Sequence, residues 1–582
     1  MRMRSFCTLA LLAVCLLVSQ RGLAEEAQDA ARLFPSSTLV YLDLRQPGPL
    51  LDYAFNPDVL AAIIKSEQYQ QAQANGQIDK LKQAVAHFEG KMGTDWQSGL
   101  RKLIGGGMQI GFDPVSMGPL LVVRAQDAEF LKKLHASVVE TIEADRKNRG
   151  EESPIKTEEF RGYQGYSFAP GESHVLVDNL LLISNRPQVL KRAIDRKLDG
   201  GKSLADVAEY QQAREMAGEN PTAWTFLQVE HVRNLPGVDD ALDGTKANPA
   251  LEILFGGILE TIKKSPIAVG TLQMELGRAK LSFRLPRDAS QVAENRRWHF
   301  AAEGGQAARP LLVKGHIATF STFRNLEGMW NAREELFNEE IGRNLTQAES
   351  QLALFFGKQD FGAEVLAEFK GRTTVVVAKQ EFPAGQPVPT NRLPAFALVL
   401  ELKNPEDMSY DLLSVYQKIV ALANLGGGQQ GYPPLLLSSE DYRGVQVSKG
   451  TYRYKSDTPK EDAAFQFNFS PSCALIGERF VIGSTTAIVR DLIDLFQDGQ
   501  AGAPGDANTL LEVDGRSAAD ALELNREFFV SQQMLSQGKT HDEAAQQIGT
   551  LFGLLRGAVA GRIKLIDTAE SLDLEVSIGQ LP

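Results

Sequence analysis

Residues 175–200 read VLVDNLLLISNRPQVLKRAIDRKLDG, and residues 474–499 read ALIGERFVIGSTTAIVRDLIDLFQDG. The second stretch lies on the first without a gap, so that Val177, Ile183, Leu190, Ile194 and Gly200 fall on Ile476, Ile482, Val489, Ile493 and Gly499. Each opens with two short apolar runs around a two-residue turn, Asp178-Asn179 in one and Gly477-Glu478 in the other. Asp and Asn tolerate the positive φ of a tight hairpin turn, and Gly suits its first position. Each stretch closes on a helix-periodic segment ending in Asp-Gly, where Gly can take the left-handed conformation past the last turn. The pattern predicts a β-hairpin followed by a helix, twice.

Working outward, the echo widens. EFRGYQGY from Glu159 is answered by DYRGVQVS from Asp441, and FLQVE from Phe226 by LLEVD from Leu510. STLVYLDL from Ser37 is answered by HIATFSTF from His316. Strands are expected over 108–112 and 120–124, and again over 373–378 and 396–402, from β-branched runs bounded by Asp-Pro, Gly-Pro and similar turn residues. Helices are expected from Pro57, over 77–88, from Ala128 with Asp127 as cap, over 249–262, over 405–425 with Gly426-Gly427-Gly428 as stop, and over 543–555. A hairpin at 267–285, with Leu272, Met274, Leu281 and Phe283 alternating, closes the first copy.

This order implies an α+β fold: two tandem copies of a largely antiparallel sheet with helices packed on one face. The expected organisation is a signal peptide at 1–24, a first repeat domain at 25–303, a linker at 304–315 around Gly304-Gly305, and a second repeat domain at 316–582.

The first 24 residues carry Arg2 and Arg4, an apolar core from Phe6 to Val18 and a Gly22-Leu23-Ala24 end, the pattern of a secretory signal cleaved after Ala24. An apolar core of about 13 residues is too short to span a bilayer. The protein is expected to be exported, periplasmic or extracellular, with no transmembrane segment in the mature chain. Cleavage takes Cys7 and Cys15 with it, leaving Cys473 without a partner for a disulfide. It also moves the net charge from -12 to about -15. That acidic balance argues against nucleic acid or an anionic membrane as partner.

Motifs for chemistry are sparse. No G-x-S-x-G or phosphate-binding loop occurs, and Ser153-Pro154-Ile155-Lys156, an S-x-x-K match, stands without its companion motifs. Cys473 lies among Ser470, Pro471, Ser472 and Ala474, with neither His nor charge beside it to activate a thiol. The glycines 105–107 and 426–428 follow helices rather than strands, the reverse of a phosphate-cradling order. The histidines at 87, 135, 174, 231, 299, 316 and 541 form no ligand-spaced pair. Asp239-Asp240-Ala241-Leu242-Asp243-Gly244 resembles a calcium loop but has Ala250 where a bidentate Glu belongs. We therefore expect no catalytic, cofactor-binding or metal residue.

LFPSSTLVYLDL from Leu33, the Arg-Gly pieces and LLLISNRPQVLKRAID from Leu180 resemble a class of uncharacterised exported bacterial proteins. The resemblance implies no transferable catalytic residue. This leaves two function classes. One is an exported non-catalytic protein, structural or binding, whose partner is an envelope protein, lipid or other apolar ligand; the other is an exported hydrolase with a dispersed active site. Tyr163, Tyr166 and Ser167 of the repeated unit become Val445, Ser448 and Lys449 in its echo, so function is expected where the copies differ.

Overall fold

The computed structural model describes residues 30–153, 155–169, 171–233, 244–275, 277–288, 290, 292, 294–300, 305–382, 385–429, 431–453, 463–557 and 560–579. The expected signal peptide and Asp239–Asp243 lie outside the described residues. Packing divides the rest into two units, one of residues 30–233 with 265–284, the other of 244–264 with 285–579. The fold is α+β, with antiparallel sheet and helices in both.

The first unit holds, among its described residues, β1 (Val40–Leu44), β2 (Met108–Asp113), β3 (Gly118–Arg124), β4 (Lys156–Phe160), β5 (Tyr163–Ala169), β6 (Glu172–Val177), β7 (Leu180–Ser184), β8 (Ala223–Gln228), β9 (Ile267–Glu275) and β10 (Arg278–Pro286). They pair antiparallel in the order β4-β5-β6-β7-β3-β2-β1-β8-β9-β10. Its helices include α1 (Gly48–Ala54), α2 (Pro57–Lys65), α3 (Gln77–Met92), α4 (Trp96–Ile104), α5 (Ala128–Asn148), α6 (Pro187–Asp199) and α7 (Ala208–Ala217). Asp127 caps α5 as expected, its Oδ1 accepting from Phe130 N at 2.9 Å.

The second unit holds β11 (His316–Phe323), β12 (Phe369–Ala378), β13 (Ala395–Leu402), β14 (Leu435–Tyr442), β15 (Val445–Tyr452), β16 (Ser472–Ile476), β17 (Arg479–Gly483), β18 (Thr509–Asp514), β19 (Ala560–Asp567) and β20 (Ser571–Gly579). Their order, β14-β15-β16-β17-β13-β12-β11-β18-β19-β20, is that of the first unit, strand for strand. Its helices include α8 (Pro249–Lys264), α9 (Pro405–Gln429), α10 (Thr486–Gln497), α11 (Gly515–Glu523), α12 (Arg526–Gln537) and α13 (His541–Gly557).

The repeated unit takes the expected form in both places. Hairpins β6–β7 and β16–β17 turn through Asp178 at φ 57° and Gly477 at φ 59°, and each feeds the next helix in the chain. The Arg-Gly pieces are also hairpin turns, with both residues at positive φ: Arg161 and Gly162 between β4 and β5, Arg443 and Gly444 between β14 and β15. A non-glycine residue seldom adopts that conformation, and here its side chain is held. Arg161 reaches Asp195 at 2.8 Å and Asp199 at 2.8 Å on α6, while Arg443 reaches Asp494 on α10 at 2.7 Å and Asp498, the residue capping its end, at 2.9 Å. The two acids stand one helical turn apart in each copy, so one guanidinium bridges them. Those hydrogen bonds hold the Asp199 and Asp494 carboxyls below the ordinary range.

Two expectations need correction. Helices cover both faces of each sheet, not one. In β3, Leu120 and Val122 join the cluster under α6 and α7, whereas their neighbours Leu121 and Val123 pack with Leu50 and Leu51 of α1 and Ile104 of α4. Successive side chains point to opposite faces, so an unbroken apolar strand such as LLVV is one buried twice. The second unit repeats this, with Val399 and Val481 facing α10 while Leu402 and Phe480 face α9. Second, α9 runs through Gly426-Gly427-Gly428 to Gln429 rather than stopping before them.

The expected division at residue 303 also differs from the packing. The α8 helix, which comes after β8 in the chain, packs within the second unit. There its buried Glu252 pairs with Arg296, and Arg324 donates to the carbonyls of Ile253 at 2.6 Å and Leu254 at 3.1 Å. Gly256 and Gly257 leave room for His299, which would meet a Cβ at either position within 2.8 Å.

Candidate binding site

The residues weighed for chemistry are dispersed. Cys473 is buried on β16, and burial pushes its thiol up to about 12, which leaves it protonated and inert. Ser153 Oγ accepts from Ile155 N at 3.2 Å at an exposed position. Gly105 caps α4 as a helix stop. Two of the seven histidines do meet: His135 on α5 and His174 on β6 place their Nε2 atoms 3.0 Å apart, with Tyr166 stacked on His174. Burial lowers the pKa of both rings, that of His174 to about 4 with His135 adding to the effect. Among the described residues no group of three His, Cys, Asp or Glu side chains could hold a metal.

Each unit has a shallow cleft. That of the first is lined by Phe34, Thr38, Asp113, Leu120 and Arg196. Burial works to raise the Asp113 carboxyl, but hydrogen bonds from Ser116, Ser37 and the Val115 amide outweigh it and hold the group below its usual range. That of the second is lined by Leu311, Thr374, Glu401, Arg479 and Phe496, with Glu401 paired to Arg372. Neither cleft brings together two carboxylates or a Ser-His pair.

The feature that stands out is apolar and lies where the copies differ. Met408, Leu412, Val415, Ile419 and Leu422 form a single stripe along α9, spaced by four and three residues in turn, as one helix face requires. Met408 and Leu412 pack against the sheet with Val365, Leu402 and Phe480, and the buried line continues through Tyr416 and Val420. Ile419 and Leu422 are 47% and 59% exposed, and Leu425 in the next turn 65%. Val420, between them, is 2% exposed, so these three side chains lie on the helix side turned away from the sheet.

The chain beyond α9 extends this surface. Gly431 at φ 80° reverses its direction, with Tyr432 N donating to Gly427 O at 2.9 Å. Asn424 then pins the start of β14, its Oδ1 accepting from Leu435 N at 2.7 Å and its Nδ2 donating to Leu435 O at 3.0 Å. Leu435 is buried, but Tyr432, Leu436 and Leu437 are 48%, 44% and 48% exposed. Among the described residues β14 pairs only with β15, so it is an edge strand. Charge marks the limits of this corner. Lys418 donates to Phe355 O at 2.6 Å at one end, and Glu440 is held by Lys449 and Arg490 at the other. Residues 419–439 contain no charged side chain in 21 positions.

The matching corner of the first unit is the end of α5 and the edge strand β4. There residues 140–160 carry 11 charged side chains in 21 positions; with the Arg-Gly turns aligned, KTEEF stands against SSEDY, and Leu436-Leu437 fall on Pro154-Ile155. Charged residues on an edge strand are the usual protection against unwanted pairing and apolar contact. On β14 the charges, Glu440 and Asp441, stand only next to the hairpin turn, and Leu435–Ser439 carry none.

No curated protein matches this chain. Among solved structures, the chain is similar to TP0453 in crystal form IV, at 10% identity over 45% of this chain and 83% of that one with a TM-score of 0.24. It is similar to crystal form III of TP0453 at 10% identity over 46% and 83%, with a TM-score of 0.23. No helix among the described residues is long and apolar enough to cross a membrane. The resemblance to uncharacterised proteins is matched by a family model: residues 6–255 fit the family described as protein of unknown function, DUF3352.

Proposed function

We propose that this is an exported, non-catalytic binding protein, and that the uncharged corner made by the end of α9 and the start of β14 is its binding surface. The supporting observation is the contrast between copies. Both units share one strand order, yet the same corner is charged in the first and exposes six apolar side chains over an uncharged run in the second. An uncovered apolar surface of this kind marks an interaction site more often than an accident of folding. Export rests on the pattern of the first 24 residues.

The test is binding of a neutral apolar dye, Nile red, to the processed chain. The wild type should give saturable fluorescence, and the double variant Leu422→Asp/Leu437→Asp should lower the affinity at least tenfold while its thermal melt stays unchanged. Equal binding by both proteins would overturn the proposal.

A further inference from the structure

We infer that the partner at this corner is the interfacial layer of a zwitterionic lipid bilayer; the inference rests on the binding surface proposed above. The carrying observation is that the corner is apolar on opposite sides at once. Leu436 and Leu437 are consecutive in β14, so one points to each face of the sheet, and both are exposed. Beside them Ile419, Leu422 and Leu425 spread round the uncovered side of the last turns of α9. A protein partner, or a strand added to the edge, covers one side of such a projection. Immersion in an apolar medium covers all of it.

The dimensions agree. From Ile419 to Leu425 the helix advances about 9 Å, and interfacial elements sink about 5–10 Å into the headgroup and acyl boundary. Tyr432 stands at the tip of the reversal, a residue type at home at the membrane–water boundary. Lys418 and Glu440 bracket the uncharged run, where polar headgroups and water would begin. The three glycines in the last turns of α9 add no side-chain bulk, and a Cβ on Gly426 or Gly428 would meet nothing within 4 Å.

Charge selects the lipid class. The chain carries a net charge of -12 and the corner contributes no Lys or Arg between 419 and 439. Nothing there offsets repulsion from anionic headgroups. Zwitterionic headgroups impose no such cost, and the apolar contact is then the whole attraction.

The experiment is flotation of the processed chain with phosphatidylcholine vesicles, repeated with phosphatidylglycerol mixed in. The wild type should float with phosphatidylcholine, and floated protein should fall as the anionic fraction rises at low salt. Leu422→Asp/Leu437→Asp and the gentler Leu425→Gln should each reduce flotation, the double variant at least tenfold, with unaltered circular dichroism. Absence of flotation, or equal flotation of wild type and double variant, overturns the inference. If flotation fails while Nile red binding is still lost in the double variant, the corner binds something other than lipid and the proposed function survives alone. If size-exclusion shows a wild-type dimer that the double variant dissociates, the occupant is a second copy and the lipid inference falls.

Discussion

Replacing Asp43 by Ala should be the most damaging single change to the first unit. Asp43 lies on β1, 1% exposed, directly across from Gln109 on β2 and Trp224 on β8. Its carboxylate accepts from Gln109 Nε2 at 2.9 Å, Trp224 Nε1 at 3.0 Å and Arg45 Nε at 2.9 Å. One buried acid thus satisfies donors from three neighbouring strands or their ends. Truncation leaves the amide and the indole N–H buried without an acceptor, at about 1–3 kcal/mol each. It also strips Arg45 of its counter-charge, so a total of about 3–5 kcal/mol is expected, the usual result of removing one partner of a buried pair. Set against a typical domain stability of about 5–15 kcal/mol, this is about a fifth or more of the whole. Asp43→Asn keeps an acceptor of the same shape and should cost roughly half as much. Urea unfolding by circular dichroism would give the loss, and hydrogen exchange of the β1, β2 and β8 amides would place it. A shift under about 1 kcal/mol, or Asn as harmful as Ala, would refute this account of the site.

Two more perturbations probe other parts of the geometry. Gly426→Ala should raise stability by about 0.5–1 kcal/mol, because the position is helical, keeps negative φ and has open space for a methyl group; a loss of stability would mean that the helix stops there after all. Acidification should weaken the first unit through His174: its ring titrates near 4 when folded and near about 6.5 when unfolded. The unfolded state therefore binds the extra proton first, and up to about 3 kcal/mol disappears as the pH falls from about 6.5 to 4. Burial raises the nearby Glu172 carboxyl, which works in the opposite direction and softens the slope. Urea midpoints at several pH values should show a shallower dependence for His174→Gln than for the wild type, and identical slopes would count against this assignment.

The local grammar of the fold was legible because it is written within a few residues. Period two in LLLIS, Asp178-Asn179 at the turn and a Pro after Arg186 each specify geometry without help from distant chain. The strand order was not legible, since it depends on which edges meet. Nor was the second covered face: LLVV in β3 could have been one face or two until Leu50, Leu51 and Ile104 were brought to it. The Arg-Gly signature was visible, but its partners were not, because Asp195 and Asp494 are set 34 and 51 residues away from the turn arginines. Glycine at 426–428 looked like a stop by propensity; tertiary anchorage through Asn424 and Leu435 overrides it. The apolar corner evaded reading for a simple reason. Ile419 and Leu422 keep the spacing of Met408, Leu412 and Val415, and only the side that α9 turns to the sheet, through Tyr416 and Val420, decides that they are left outside.

The placement of α8 has a consequence for how this protein can be made. The segment emerges before Arg296, Arg324 and the rest of its surroundings have been synthesised, so its buried Glu252 waits for counterparts that arrive later in translation. Neither half is therefore a portable module under a single cut. A gene truncated at codon 303 would encode a sheet trailing an orphaned, half-apolar helix, a ready seed for aggregation. The reciprocal fragment would begin with an empty berth where that helix belongs. The sixteen residues of α8 have to stay with the second unit in any fragment meant to fold.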